Sequence, residues 1–190
     1  MHLRPILKHI IFQFVDEVDS KGQFVQTTNW GFTIPGHFDS SAKSPRWATI
    51  THAGPDCKDV KVGQQVLIDA LKWTPGFKFE GERFWRTDET QIVVARNTPK
   101  SKIHPLRDIV IFKRHDEKVN EGKHGLQIVG ESVIETPKGT VTLVGPKCTE
   151  KLDGTVIYYH EENFFSKFEH QKENLWYIRE QDILAYQSND

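Results

Sequence analysis

Few residues of this 190-residue chain stand at spacings that support catalysis. Its two cysteines occupy matching turns, Gly54-Pro55-Asp56-Cys57 and Gly145-Pro146-Lys147-Cys148. A metal site needs further ligands at short spacing. His52 lies near Cys57, but Leu143 holds the corresponding place before Cys148, so each cysteine reads as a small side chain in a tight turn. His160, Glu161, Glu162 and His170 are ligand types, yet the matching stretch of the first half starts Asp69-Ala70-Leu71, and a solvated loop is expected. There is no Gly-x-Gly-x-x-Gly, no Gly-x-Ser-x-Gly and no phosphate loop, so neither dinucleotide chemistry nor an activated serine is indicated. The expectation is a protein that is not an enzyme and carries no cofactor and no metal.

The residues that remain are suited to binding. Gly31-Phe32-Thr33-Ile34-Pro35-Gly36 and Gly125-Leu126-Gln127-Ile128-Val129-Gly130 share a Gly-apolar-x-Ile pattern. In an extended segment, side chains two apart point the same way. Phe32 with Ile34, and Leu126 with Ile128, therefore fit a groove on a partner, in a strand-like mode of peptide recognition. The same spacing also fits a covered strand with Ile34 and Ile128 in the core, and Pro35 stiffens the first segment. Trp30 and Trp47 flank that segment. Tryptophan is enriched at binding hot spots, so these two mark either a partner surface or local packing that pins the segment down. Trp85 and Trp176 read as core.

Composition bounds the setting. With 25 basic and 26 acidic residues the formal charge is −1, which removes the basic signature of a nucleic-acid binder. Residues 1–98 hold 12 basic against 11 acidic side chains and residues 99–190 hold 13 against 15, so neither half is specialised by charge. Hydrophobic content of 37% supports a packed core. No apolar stretch approaches the roughly 20 residues of a membrane-spanning helix. The segment from Met1 to Phe14 lacks the features of a signal peptide, and two cysteines do not make a disulfide framework; a cytosolic setting is expected.

The elements that position these segments come in two copies. At a shift of 91 residues, 47–95 aligns on 138–186 without a gap: Thr49 on Thr140, Gly54-Pro55 on Gly145-Pro146, Cys57 on Cys148, Gly63 on Gly154, Trp85 on Trp176, Glu89 on Glu180. At a shift of 100, Pro5 falls on Pro105 and Ile10-Ile11-Phe12 on Val110-Ile111-Phe112. The Gly-apolar-x-Ile segments align at a shift of 94, so length differences fall on either side of them, as loop insertions in a duplicated fold should. The linker is Asn97-Thr98-Pro99-Lys100-Ser101-Lys102, which puts the first unit at 1–98 and the second at 99–190. Each copy holds five or six short β-branched and aromatic runs and no long amphipathic helix pattern. The prediction is an all-β chain of two small β-barrels, with room for a helical turn somewhere in Glu161 to Asn174.

The order of these landmarks resembles that of the GroES-type co-chaperonins, twice over. Pro105-Leu106-Arg107-Asp108-Ile109-Val110-Ile111-Phe112-Lys113-Arg114 is similar to the family's opening strand, and Leu3-Arg4-Pro5-Ile6-Leu7 is a looser copy. The Gly-apolar-x-Ile segments resemble the tip of the family's mobile loop. Thr51-His52-Ala53-Gly54 followed by Val62-Gly63-Gln64-Gln65-Val66, and the closing Glu180-Gln181-Asp182-Ile183-Leu184-Ala185, complete the likeness. The resemblance implies two tandem GroES-like barrels and a homo-oligomeric lid on a GroEL-type chaperonin ring, with Gly31, Phe32, Thr33 and Ile34, and Gly125, Leu126, Gln127, Ile128 and Val129, as docking residues. It implies help in folding a client such as a capsid protein, with ATP hydrolysed by the chaperonin. The spans Pro55–Val62 and Pro146–Asp153 are too short for the roof hairpin of bacterial members and are similar to bacteriophage forms, placing the protein in the cytoplasm of a host bacterium. The alternative is a structural protein of a virion that reuses the barrel and contacts other virion proteins.

Overall fold

A computed structural model describes residues 2–16, 18, 24, 26–27, 33–34, 44–115, 136–160 and 166–187. Among them the chain is all-β, with no α-helix. Its strands are β1 (His9–Phe14), β2 (Gln26–Thr27), β3 (Thr33–Ile34), β4 (Arg46–Ala53), β5 (Gln65–Ile68), β6 (Phe77–Phe79), β7 (Glu82–Asp88), β8 (Ile92–Arg96), β9 (His104–Pro105), β10 (Ile109–Arg114), β11 (Lys138–Val144), β12 (Val156–Tyr159), β13 (Lys167–His170), β14 (Glu173–Arg179) and β15 (Ile183–Gln187). Of the stretch Glu161 to Asn174, expected to have room for a helical turn, 161–165 lie outside the described residues, Ser166 is in a 3-10 conformation, and Lys167 to Asn174 belong to the β13–β14 hairpin. Phe168 and Leu175 pair across it on one buried face, and that alternation is a strand signal.

Two antiparallel sheets divide the chain. The first runs β6-β7-β1-β4-β5-β8-β9 and the second β13-β14-β10-β11-β12-β15, while β2 and β3 form a small hairpin between β1 and β4. Apart from β9, the two orders are the same under the repeat. The expected closed barrels are not formed among the described residues: β6 and β9 end one sheet, β13 and β15 the other, and neither pair of end strands joins.

The repeat extends to local irregularities. Ladder β1–β4 slips by one residue between Ile11 and Phe12, and β10–β11 slips between Ile111 and Phe112. A second bulge falls between Leu67 and Ile68 in β5–β8 and between Tyr158 and Tyr159 in β12–β15. A bulge increases local twist and re-aims side chains. Here the extra residue lies on β4 and β11, so that Ala53, three from Ile50, and Val144, three from Val141, turn to the same cores as those residues. Ile10 and Phe12, two apart, face the first core with Ala48, Ile50, Val66, Ile68 and Trp85. Val110 and Phe112 do the same in the second core with Val141, Leu152, Ile157 and Ile178. Trp176 is partly buried against that second core.

Each unit is closed at one end by the same turn. Gly54 N–H donates to His9 O at 2.9 Å and Gly145 N–H to Ile109 O at 2.8 Å. A Cβ on either glycine would run into a backbone carbonyl, that of Leu7 or of Arg107, which is why glycine stands there twice. The cysteines that follow point their thiols at the carbonyls of His9 and Ile109. A carboxylate ties the next loop: Glu89 Oε1 accepts from the N–H groups of Lys58 and Asp59, each at 2.7 Å. Glu180 Oε1 accepts from Thr149 and Glu150 at 2.7 and 2.8 Å.

Glu89 is buried whereas Glu180 is partly exposed. Hydrogen bonds to charged groups are worth about 1.5–3 kcal/mol, and water replaces lost partners more readily at an exposed site. Glu89→Ala should therefore cost about 1.5–3 kcal/mol in urea-induced unfolding, and Glu180→Ala distinctly less.

Candidate functional site

The best-formed binding surface in the described residues is the one joining the two halves. It is built from different faces of the repeated unit. The first half contributes Trp47, Leu67, Val93 and Val94, from β4, β5 and β8. The second contributes Ile109, Ile111, Leu143, Phe168, Leu175 and Tyr177, from β10, β11, β13 and β14, with Ile103 from the linker side. Leu67, Ile109, Ile111 and Val94 are wholly excluded from water. Each fully buried side chain of this kind contributes about 1.5–3 kcal/mol.

Strand β9 extends the joint through the backbone. It belongs by sequence to the second unit, yet it pairs with β8 of the first, Val94 with Pro105 and Ala95 with His104. Leu106 N–H then donates to Val93 O at 2.9 Å, and the Leu106 side chain enters the core of the first half. Arg107 follows. Its guanidinium pairs with Asp59 at 3.0 Å and donates to the carbonyls of Glu89, Thr90 and Ile92. These carbonyls belong to the short 3-10 turn Glu89–Gln91 and its C-cap Ile92; Glu89 O already accepts from Ile92 N–H, and the guanidinium adds a second donor there. The turn over Asn97–Lys102 is closed by Ser101 Oγ, which accepts from Thr98 N–H at 2.8 Å.

Three polar contacts fix the register. Tyr177 OH donates to Asp69 Oδ1 at 2.6 Å. Burial and the neighbouring Asp69 carboxylate push that phenol far above its ordinary range, so it stays a donor. Trp47 Nε1 donates to Glu169 O at 3.2 Å. The Arg96 guanidinium lies over the Trp47 ring, 3.6 Å from its centroid, a cation–π contact. It also reaches His170 Nδ1 at 3.1 Å. Arginine has no acceptor, so Nδ1 accepts and the ring is neutral there. Burial, then the Arg96 charge, lower the His170 pKa, with Glu173 opposing.

The candidate residues from sequence fall unevenly. Thr33 and Ile34 form β3, paired with Thr27 and Gln26 of β2. Trp30, Gly31 and Phe32, and Gly125, Leu126, Gln127, Ile128 and Val129, lie outside the described residues. Trp47 is half-buried, and the surface that covers it is the second half of the same chain. His170 was read as part of a solvated loop. It is buried in the joint instead, because β13 carries it against Arg96; Glu161 and Glu162 lie outside the described residues. The joint itself went unread, although a signal existed: Ile92-Val93-Val94-Ala95 and Ile109-Val110-Ile111-Phe112 are apolar at every position, the mark of strands covered on both faces.

Other chemistry is sparse. Burial and nearby carboxylates push both cysteine thiols up, Glu89 acting on Cys57 and Glu180 on Cys148, which disfavours the reactive thiolate. No group of three or more His, Cys, Asp or Glu among the described residues is placed to hold a metal ion. A shallow cleft of about 300 Å³ lies beside β1 and β7, lined by His9, Trp73, Arg86 and Asp88 among others. Burial pushes the Asp88 pKa up, but two hydrogen bonds from Thr90 and the charges of His9 and Lys8 outweigh it and leave it low.

The fold and this joint define a class: a tandem all-β protein whose two like units are fused face to unlike face. A scan against protein-family models finds no match to the chain, and a search of the curated proteins finds none either.

Tyr177→Phe removes a hydrogen bond to a charged group and should lower stability by about 1.5–3 kcal/mol in urea titration. His170 gives a pH dependence of defined sign. Its folded pKa lies below the ordinary value of about 6.5, so the unfolded chain takes up the proton first. Stability is therefore full above about 6.5 and is lost as pH falls from there through the folded pKa. Between about pH 7 and pH 5.5 the melting temperature of the wild type should drop more than that of His170→Gln, which keeps an acceptor without the titration. Equal drops would show that His170 does not couple the halves to pH.

Proposed function

We infer that this chain is a co-chaperonin-like protein, two GroES-type units in tandem, that caps a GroEL-type chaperonin ring through hydrophobic loops and assists folding of a client such as a capsid protein. One observation carries the reading. The same strand order occurs twice, and both copies place a Gly-apolar-x-Ile segment between the same two strands, β1 and β4 in one unit and β10 and β11 in the other. A duplicated fold that keeps an apolar pair at one insertion point through both copies fits a loop used for docking. Phe32 with Ile34 and Leu126 with Ile128 are the anchors. Ordering such a loop costs about 1–2 kcal/mol per residue, so a single contact is weak and strength comes from several loops acting together. The near-zero charge of each half supports apolar recognition over charge-based recognition and argues against nucleic acid as partner. No helix among the described residues is long and apolar enough to cross a membrane. The setting is the cytoplasm of a host bacterium.

A second reading is favoured by the joint. Two units welded by a buried apolar cluster act as one rigid block, and a lid with two units per chain carries twice as many loops as a ring of single units. Both features suit a structural module of a bacteriophage virion, held among other virion proteins.

Capture on an immobilised GroEL-type chaperonin separates the two. The lid reading expects saturable, nucleotide-dependent binding that Leu126→Asp abolishes. If both loops dock, Phe32→Asp weakens binding comparably, and a large difference between the two would assign docking to one unit. Binding unaltered by either substitution, with the protein recovered in purified particles, would favour the virion role.

A further inference from the structure

The two units have diverged at one spot on the outer face of their sheets, and the second unit shows what that spot can hold. We propose that the cleft beside β1 and β7 binds a small organic carboxylate, its anionic end between Arg86 and Lys72 and its apolar part against Trp73 and Leu71.

The shared register makes the comparison direct. Strand β1 pairs with β7 so that His9 faces Asp88 and Ile11 faces Arg86. Strand β10 pairs with β14 so that Ile109 faces Arg179 and Ile111 faces Tyr177. Arg86 therefore takes the place of Tyr177, and His9 that of Ile109. Tyr177 receives a carboxylate from outside its own unit, that of Asp69, at 2.6 Å. The first unit puts a guanidinium where the second puts that phenol. A guanidinium fork matches a carboxylate with two parallel charge-assisted bonds, so the exchange strengthens the same recognition. Around Arg86 the first unit has an open cleft of about 300 Å³, at the small end of the range for small-molecule sites. Another copy of this chain would not bring an acid in the manner of Asp69, because His160 stands at that place in the second unit.

The positive charge in the cleft is unanswered. Among the described residues neither Arg86 nor Lys72 pairs with a carboxylate. Asp88 also lines the cleft, but its Oδ1 already accepts from the N–H and the hydroxyl of Thr90, and Lys8 and His9 offset its charge. Arg86 Nη1 lies 3.4 Å from His9 Nδ1. Arginine has no acceptor, so Nδ1 accepts and the neutral ring keeps an Nε2–H donor. Thr74 Oγ1 accepts from Arg86 N–H at 3.2 Å, which leaves its own hydroxyl proton to give.

The walls are set without a ligand. Thr74 N–H donates to Arg86 O at 2.9 Å, and Thr87 Oγ1 donates to Lys72 O at 2.5 Å. Trp73 packs edge to face on Phe14 with 5.2 Å between ring centroids. Leu71 is 60% exposed and gives the rim an apolar side chain. A preformed cleft with an apolar wall and a few polar groups orders little on binding, which favours a small ligand. Nothing in this site depends on the lid reading.

Nuclear magnetic resonance of the ¹⁵N-labelled chain tests it, with sodium phenylacetate added at constant ionic strength and phenylacetamide as the neutral counterpart. Phenylacetate should shift the amide signals of Lys72, Trp73, Thr74 and Arg86 saturably, and phenylacetamide should not. Arg86→Gln should weaken phenylacetate binding at least about tenfold, as loss of a charge-assisted bond requires. Lys147→Gln, at an exposed position of the second unit, should bind as the wild type does. Arg86 is also exposed, so the signals of residues far from the cleft should stay in place in both variants. Shifts that never saturate, phenylacetamide binding as tightly as phenylacetate, or Arg86→Gln binding as tightly as the wild type would each overturn the proposal.

Discussion

Everything in the described structure depends on one act of strand addition. The second unit's leading segment leaves its own sheet and pairs with β8 of the first. That pairing drives Leu106 into the first core and sets Arg107 over the carbonyls of the Glu89–Gln91 turn. It also fixes which faces of the two sheets meet. Once β9 is seated, Leu67 and Val94 can only lie against Ile109, Ile111 and their neighbours. Tyr177 then comes within reach of Asp69, and Arg96 within reach of His170. The apolar cluster supplies most of the free energy, because burial is proportional to area and needs no direction. The hydrogen bonds supply register, since an unmade bond to a buried charge is expensive.

The repeat shows which features belong to the unit and which to the joint. The two bulges, the Gly-Pro turn with its inward thiol and the glutamate that holds the next loop recur in both halves, so they are requirements of the sheet itself. Arg107, Arg96, His170, Asp69 and Tyr177 have no like counterpart in the other half, so they answer to the contact between units.

Much of the strand pattern was legible from residues. Runs such as Ile10-Ile11-Phe12 and Val156-Ile157-Tyr158-Tyr159, bounded by glycine and proline, mark strands because β-branched and aromatic side chains fit a pleated surface. The shared Gly-Pro-x-Cys turns and the paired Glu89 and Glu180 made the duplication visible. The candidate loops were legible only as a pattern of apolar spacing. Closure into barrels was not legible, because it depends on whether end strands meet, and no residue type encodes that. Trp47 illustrates the limit: its type marks it as a binding residue, but whether its partner is another protein or the other half of its own chain is a matter of how two sheets dock.

The sequence by itself determined the all-β class, the two copies and their turns. Those are local or nearest-neighbour properties, set by side-chain alternation and backbone allowance. Only the tertiary structure decided that unlike faces of the two units meet, that Ile103–Arg107 belongs to the first sheet, and that His170 is a buried acceptor rather than a loop side chain. The physical reason is that docking depends on the summed complementarity of surfaces contributed by strands far apart in the chain, and no window of sequence contains that sum.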